Sequence, residues 1–253
     1  MASVSGTVAV KVAWLTHHVP QADADWLLPG GVGGAEMTDA TMISNAPESV
    51  SVTVVLPDQW EQALEFDRVV ITGTDLLPDN ALRRLAECRP IVWVHHKQMP
   101  SAARQVLFAA ADPFVTMSEA HSWVEAAWSG VVSQWCHGDI SVDVEPQEKQ
   151  HAALWSARNH PQKGLLAARL WSRSMNLPLT ELSGVDRSEV LEAMAVHEWF
   201  VFLPQDFDSC PRTLIEAEFA GCTIHTNDKA GRRDPGPIDE VMAAQAPKFW
   251  GWL

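Results

Sequence analysis

The chain has 253 residues, 47% hydrophobic and 20% charged, enough to bury a core in one large domain or in two of roughly 120 residues. Its formal net charge of −14 argues against a generic grip on nucleic acid or an anionic membrane; DNA binding would need a local basic cleft, with Lys97, Arg104, Arg232 and Arg233 as candidates. The four cysteines (Cys88, Cys136, Cys210, Cys222) form no C-x-x-C pair, so neither a disulfide framework nor a zinc ribbon is indicated, and reduced thiols in a cytoplasmic protein are expected.

The opening MASVSGTVAVKVAWL lacks the basic region, long apolar core and cleavage site of a signal peptide, and reads as a strand. No apolar run is long enough to span a bilayer. The strand at Thr7–Thr16 is nearly all apolar, as a central parallel strand should be. A glycine-rich loop follows, ending in PGGVGG, and a helix begins near Ala35. Further strands are predicted at Ser51–Leu56, Arg68–Thr72, Pro90–Val94, Pro113–Met117 and Val131–Cys136, with helices at Asn80–Glu87, at Ser101–Ala111 and after Ser118. Ser118 is a good N-cap. The polar, acidic stretch Asp139–Gln150 reads as a linker.

The alternation then restarts. Strands are expected at Ala152–Ser156, Leu177–Leu182, Trp199–Leu203 and Cys222–Thr226. Helices are expected from Lys163, over Arg187–Val196 and from Pro211, where a proline suits the first helical turn. The terminal segment, EVMAAQAPKFWGWL, is helical in its first half. Two successive α/β sets imply two Rossmann-like domains facing a central cleft.

Two clusters carry chemistry. In the run from Ala157 to Gly164, Arg158 ends a strand and Lys163 opens the next helix, so both cations face one spot suited to a diphosphate. Asp208 and Glu216 straddle the next turn and helix, where carboxylates accept hydrogen bonds from sugar hydroxyls. Solvated surface charges are the plain alternative for each cluster. Asp206-Phe207-Asp208 also forms an Asp-x-Asp triplet of the kind that holds a divalent metal on a diphosphate.

Taken together, A-R-x4-K-G, a strand ending in LPQ, and D-x7-E with I-E-A-x3-G resemble the C-terminal half of the GT-B glycosyltransferases, specifically the retaining family 4 group. Gly33-Gly34-Ala35-Glu36 looks like that family's glycine-rich first loop, and WCHGD (135–139) like its segment before the second domain. The departures are Ala157 for the family's glycine and Asp208 for its first glutamate, which shortens the carboxylate's reach.

The resemblance implies an acceptor-side domain over residues 1–140, a donor domain over 151–235, and a segment 236–253 packing back on the first domain. It implies Arg158 and Lys163 on the donor diphosphate, Asp208 facing the donor sugar, and Glu216 on the nucleotide ribose. Backbone N–H groups of Ser209, Cys210, Arg212 and Thr213 and of Gly33 and Gly34 would approach the donor, with Arg212 adding a charge. A histidine after the fourth strand would touch the sugar, His96 being preferred to His95.

The implied activity is retaining transfer of a sugar from a nucleotide diphosphate donor to an unidentified hydroxyl, on a small molecule, glycan, protein or hydroxymethylated DNA base. No metal or other cofactor is expected, because protein cations replace the metal in this fold. The alternative is a non-catalytic nucleotide-sugar binding module on the same fold. An NAD-type Rossmann enzyme is set aside, since PGGVGG lies about a dozen residues beyond the first strand.

Overall fold

Runs of apolar residues with no polar alternation become strands buried on both faces, which is the condition of a parallel sheet under helices. The computed structural model describes residues 9–16, 34–140, 142, 144–145, 147–157 and 161–253. Its first half runs β1 (Val10–Leu15), α1 (Gly34–Ser44), β2 (Val50–Val55), β3 (Arg68–Ile71), α2 (Asp79–Ala86), β4 (Ile91–Val94), α3 (Ala102–Ala110), β5 (Phe114–Thr116), α4 (Glu119–Ser129) and β6 (Gln134–Trp135). These strands form one six-stranded parallel sheet, ordered β2-β1-β3-β4-β5-β6.

The second half runs β7 (Gln150–Ser156), α5 (Leu165–Ser174), β8 (Leu179–Leu182), α6 (Arg187–Val196), β9 (His197–Phe202), α7 (Arg212–Phe219) and β10 (Thr223–Thr226). It forms a separate four-stranded parallel sheet, ordered β10-β9-β7-β8. Two helices close the chain, α8 (Ile238–Ala243) and α9 (Gln245–Trp250).

The twofold period of a strand divides the first core in two. Ala13, Leu15, Val69, Ile71, Val92 and Val94 face α2 and α3. Val12, Trp14, Val70, Ile91 and Trp93 face α1 and α9. On that second face Phe249 lies 5.5 Å from Trp14 and 4.9 Å from Trp93, centroid to centroid, and the Trp250 indole N–H donates to Met42 O at 3.2 Å. The C-terminal helix therefore completes the core of the first sheet, although its preceding strand belongs to the second.

The sequence reading put helix only in the first half of that terminal segment. Pro247 is accommodated because it occupies the first turn of α9, where backbone N–H groups have no intrahelical acceptor. The helix expected from Lys163 starts at Leu165, Lys163 itself closing a short 3-10 turn over Pro161–Lys163.

Candidate functional site

In an open parallel sheet, ligands bind beyond the carboxyl ends of the strands where the strand order reverses. In the second sheet the chain leaves β7 for β8 on one side and returns to β9 on the other. The loops after β7 and β9 thus meet at the switch point, and they carry Lys163 and Asp208. Gly164 makes their approach possible. It adopts φ +78°, and a Cβ there would lie 1.8 Å from Leu203 O at the end of β9. Gln205 N–H donates to Gln162 O at 2.8 Å, tying the two loops together, while the Trp155 indole donates to Lys163 O at 3.2 Å and holds the first loop against its own strand. Lys163 Nζ then reaches Asp208 Oδ2 at 2.6 Å and lies 5.9 Å from the Phe202 ring centroid. Both side chains keep access to solvent, Lys163 at 36% and Asp208 at 18%.

Glu216 lies deeper, with its side chain 5% exposed. Its Oε1 accepts from Arg212 Nε and from Arg187 Nε, each at 2.9 Å. Arg212 opens α7 and Arg187 opens α6, so two helix starts converge on one carboxylate. Arg212 is accordingly a buried partner of Glu216, 9% exposed, and not a surface cation.

The first sheet has its own switch point, between β1 and β3. There Asp39, from α1, accepts from Thr16 Oγ1 and Thr72 Oγ1, each at 2.8 Å, and lies 3.5 Å from His95 Nε2. All four residues are buried. His95 packs edge-on against Trp93, two residues back on the same sheet face. His96 turns the other way, exposed and hydrogen-bonded to Asp75, which also pairs with Arg104 at 3.2 Å. That bond to Asp75 raises the His96 pKa against the opposing effect of burial.

The carboxyl ends of the two sheets face each other. Ser209, beyond β9, donates through Oγ to His95 O and accepts Ser118 Oγ–H on its own carbonyl at 2.6 Å. Phe207 stacks obliquely at 5.9 Å on His121, which is itself buried against Glu125 at 3.3 Å. Glu125 in turn holds Gln98 N–H at 2.8 Å, fixing the loop after β4. A Cβ at Gly231 would lie 1.8 Å from Ser209 O and 2.7 Å from Ser118 Oγ, so only glycine fits behind this contact.

A second bridge joins the two stretches where the chain passes between sheets. His137 Nδ1–H donates to Met117 O at 2.6 Å and Nε2 accepts Asp234 N–H at 2.9 Å, a pattern requiring the neutral ring. Burial lowers its pKa, outweighing the nearby Asp234 carboxylate. Trp135 Nε1–H donates to Asp234 Oδ1 at 2.8 Å, and His137 N–H to Gln245 Oε1 at 2.9 Å. Burial and the Asp208, Asp234 and Glu218 carboxylates push the Cys210 thiol up to about 12, so it remains protonated.

Of the residues expected from sequence, Lys163 and Asp208 meet directly, with Glu216 and Arg212 on the adjoining helix. Ser209 and Cys210 spend their side chains on the first lobe, the latter with Sγ 3.8 Å from His137 Nδ1. Thr213 is half-buried in the first turn of α7, and Gly34 opens α1. Arg158 and Gly33 lie outside the described residues. Of the two histidines after β4, His96 is exposed and held by Asp75, whereas the His95 ring is buried against Asp39 and only its backbone carbonyl accepts from Ser209 of the second lobe. Asp39, Thr16, Thr72, Arg187 and His137 were not anticipated. Extending the alternation from Trp93 to His95 was the one available signal.

No protein-family model matches the chain, and none of the curated proteins does. Solved structures do. AviGT4, a glycosyltransferase involved in avilamycin A biosynthesis, superposes with a TM-score of 0.60 at 14% identity, over 96% of this chain and 91% of that one. The lipopolysaccharide outer core galactosyltransferase WaaB gives 0.57 at 12%, over 96% and 94%. HepE of Anabaena, in complex with UDP-glucose, gives 0.55 at 13%, over 95% and 90%. The fold is GT-B. A GT-B chain presents two parallel sheets with their carboxyl ends opposed, so the Lys163–Asp208 pair and the Asp39–His95 cluster lie on the opposed edges of that architecture.

Proposed function

We propose that this chain is a glycosyltransferase that takes a sugar from a nucleotide diphosphate donor and passes it to a hydroxyl acceptor, with retention of anomeric configuration. The observation that carries the reading is the meeting of Lys163 and Asp208 at the switch point of the second sheet. HepE, of the same fold, binds UDP-glucose.

In this reading Lys163, helped by Arg158, exchanges Asp208 for the donor diphosphate. As the bond from the anomeric carbon to the phosphate oxygen breaks, its electron pair leaves with the diphosphate, and the cations stabilise that charge. The acceptor oxygen bonds to the anomeric carbon, and its proton passes to the departing phosphate. Asp208, freed from Lys163, faces the donor sugar together with His96, the exposed histidine after β4. Glu216 Oε2 accepts from the ribose hydroxyls while Oε1 stays with the arginines.

Metal independence belongs to the same proposal. In the Asp-x-Asp triplet, Asp208 is engaged by Lys163, and Asp206 Oδ1 accepts its neighbour's N–H from Phe207 at 2.8 Å. The described residues contain no helix long and apolar enough to cross a membrane, and the cysteines are free thiols. We assign the protein to the cytoplasm on the thiols.

The test is a panel of UDP-, GDP- and ADP-sugars assayed for hydrolysis with and without EDTA, followed by NMR of the released sugar's anomer. Hydrolysis with a retained anomer and no EDTA effect is expected. Tight nucleotide binding without turnover of any donor would favour a non-catalytic nucleotide-sugar module.

A further inference from the structure

Resting on the donor reading above, the geometry points to Arg187 as a positioning residue that sets selectivity for the donor's ribose. Its Nε donates to Glu216 Oε1 at 2.9 Å, from the first residue of α6. Arg212 makes the same bond to the same oxygen from the first residue of α7, four positions before Glu216. Both arginines therefore load one carboxylate oxygen, and the carboxylate plane is set by two helix starts at once. Oε2 is left to accept from a ribose diol.

A second observation shows how narrowly this arrangement is held. Among the described residues, Arg187 Nη2 and Arg212 Nη1 are buried without an acceptor. An unsatisfied buried donor is costly, so the bond each arginine does make matters more, and Glu216 is the acceptor they share. Arg212 lies on the helix of Glu216 itself, whereas Arg187 comes from a different helix. Removing Arg187 leaves the carboxylate free to rotate toward Arg212 alone, with Oε2 no longer presented at a fixed angle. The loss falls on reading of the diol, because Lys163 pairs with Asp208 and not with either arginine or Glu216.

The experiment is calorimetric or tryptophan-fluorescence titration of the full chain with UDP, GDP and ADP and with their 2′-deoxy counterparts. The wild type should prefer the ribonucleotide. In Arg187→Met that preference should fall about tenfold, with deoxynucleotide affinity nearly unchanged, as expected for loss of one hydrogen bond to a charged group. Arg187→Lys, which keeps the charge without the Nε geometry, should show the same loss, and it serves as the readout if the methionine variant folds poorly. A wild-type preference carried unchanged into both variants overturns the inference while leaving the donor assignment standing. A wild type that binds no nucleoside diphosphate overturns both.

Discussion

Lys163 and Asp208 neutralise each other at 2.6 Å, so an arriving diphosphate must compete with a carboxylate for the same ammonium. The pair is partly buried but still reached by water, and such pairs are worth about 1 kcal/mol, a small barrier to exchange. Lys163→Met should therefore leave thermal stability nearly unchanged and lower transfer or donor hydrolysis by about 100-fold or more, the usual loss when a stabiliser of leaving-group charge is removed. Turnover like that of the wild type would take the diphosphate away from this lysine. Glu216→Gln should act differently, raising the donor KM while kcat at saturating donor holds.

His137 makes a prediction of another kind. Its native pKa is lowered from the ordinary 6.5, so the unfolded chain binds the proton more readily than the folded one. Its contribution to stability is thus complete above that value and is lost as pH falls below it. Protonation would set an N–H against the Asp234 N–H that Nε2 now accepts. A melting temperature followed from pH 7.5 to pH 5 should drop with a slope that flattens in His137→Gln; parallel slopes would remove His137 as the titrating group.

At the scale of elements, the two loops at the second switch point touch through Gly164. Gly164→Ala must force a left-handed residue, at about 1–2 kcal/mol, and also move a backbone carbonyl 1.8 Å from the new methyl. Denaturant titration should show a loss larger than the conformational strain alone, with donor affinity falling as Lys163 is displaced. A near-neutral variant would mean that the loops separate without cost.

Inner strands such as β3 and β4 were legible because they are short and almost wholly apolar, and Arg187–Val196 was read to the residue. Helix starts at Ser101 and Ser118 were legible because both are hydroxyl caps, accepting from Arg104 N and His121 N. The second task of Ser118, holding Ser209 across 91 positions of chain, follows no local pattern. Lys163, Asp208 and Glu216 were found by spacing, since one helix and its preceding turn carry two of them. Asp39 was not: its partners Thr16 and Thr72 lie 23 and 33 positions away and meet it only through the sheet order. The same distance effect hid α9, whose Pro247 and flanking Gly251 look like breakers until its core partners Trp14 and Trp93 are in place.

For the whole molecule, α9 is part of the first sheet's core and makes the two halves interdependent. Phe249 and Trp250 are buried with Trp14 and Trp93. Trp250→Ala should cost about 3–5 kcal/mol, as for other large aromatic truncations. The loss should appear in the first lobe, measurable as faster amide exchange in β1 and β4. Unfolding confined to the last helix would contradict the shared core.

The chain passes between the lobes in two places, after β6 and again after β10 on its way to α9, and Trp135, His137, Asp234 and Gln245 bond these passages side by side. One covalent connection would act as a tether, free to twist as well as bend. Two connections fastened next to each other, like the two leaves of a hinge, resist twist as one strand of chain cannot. With Ser209 also bonded to Ser118 and to the His95 carbonyl, the two opposed edges are held in one alignment.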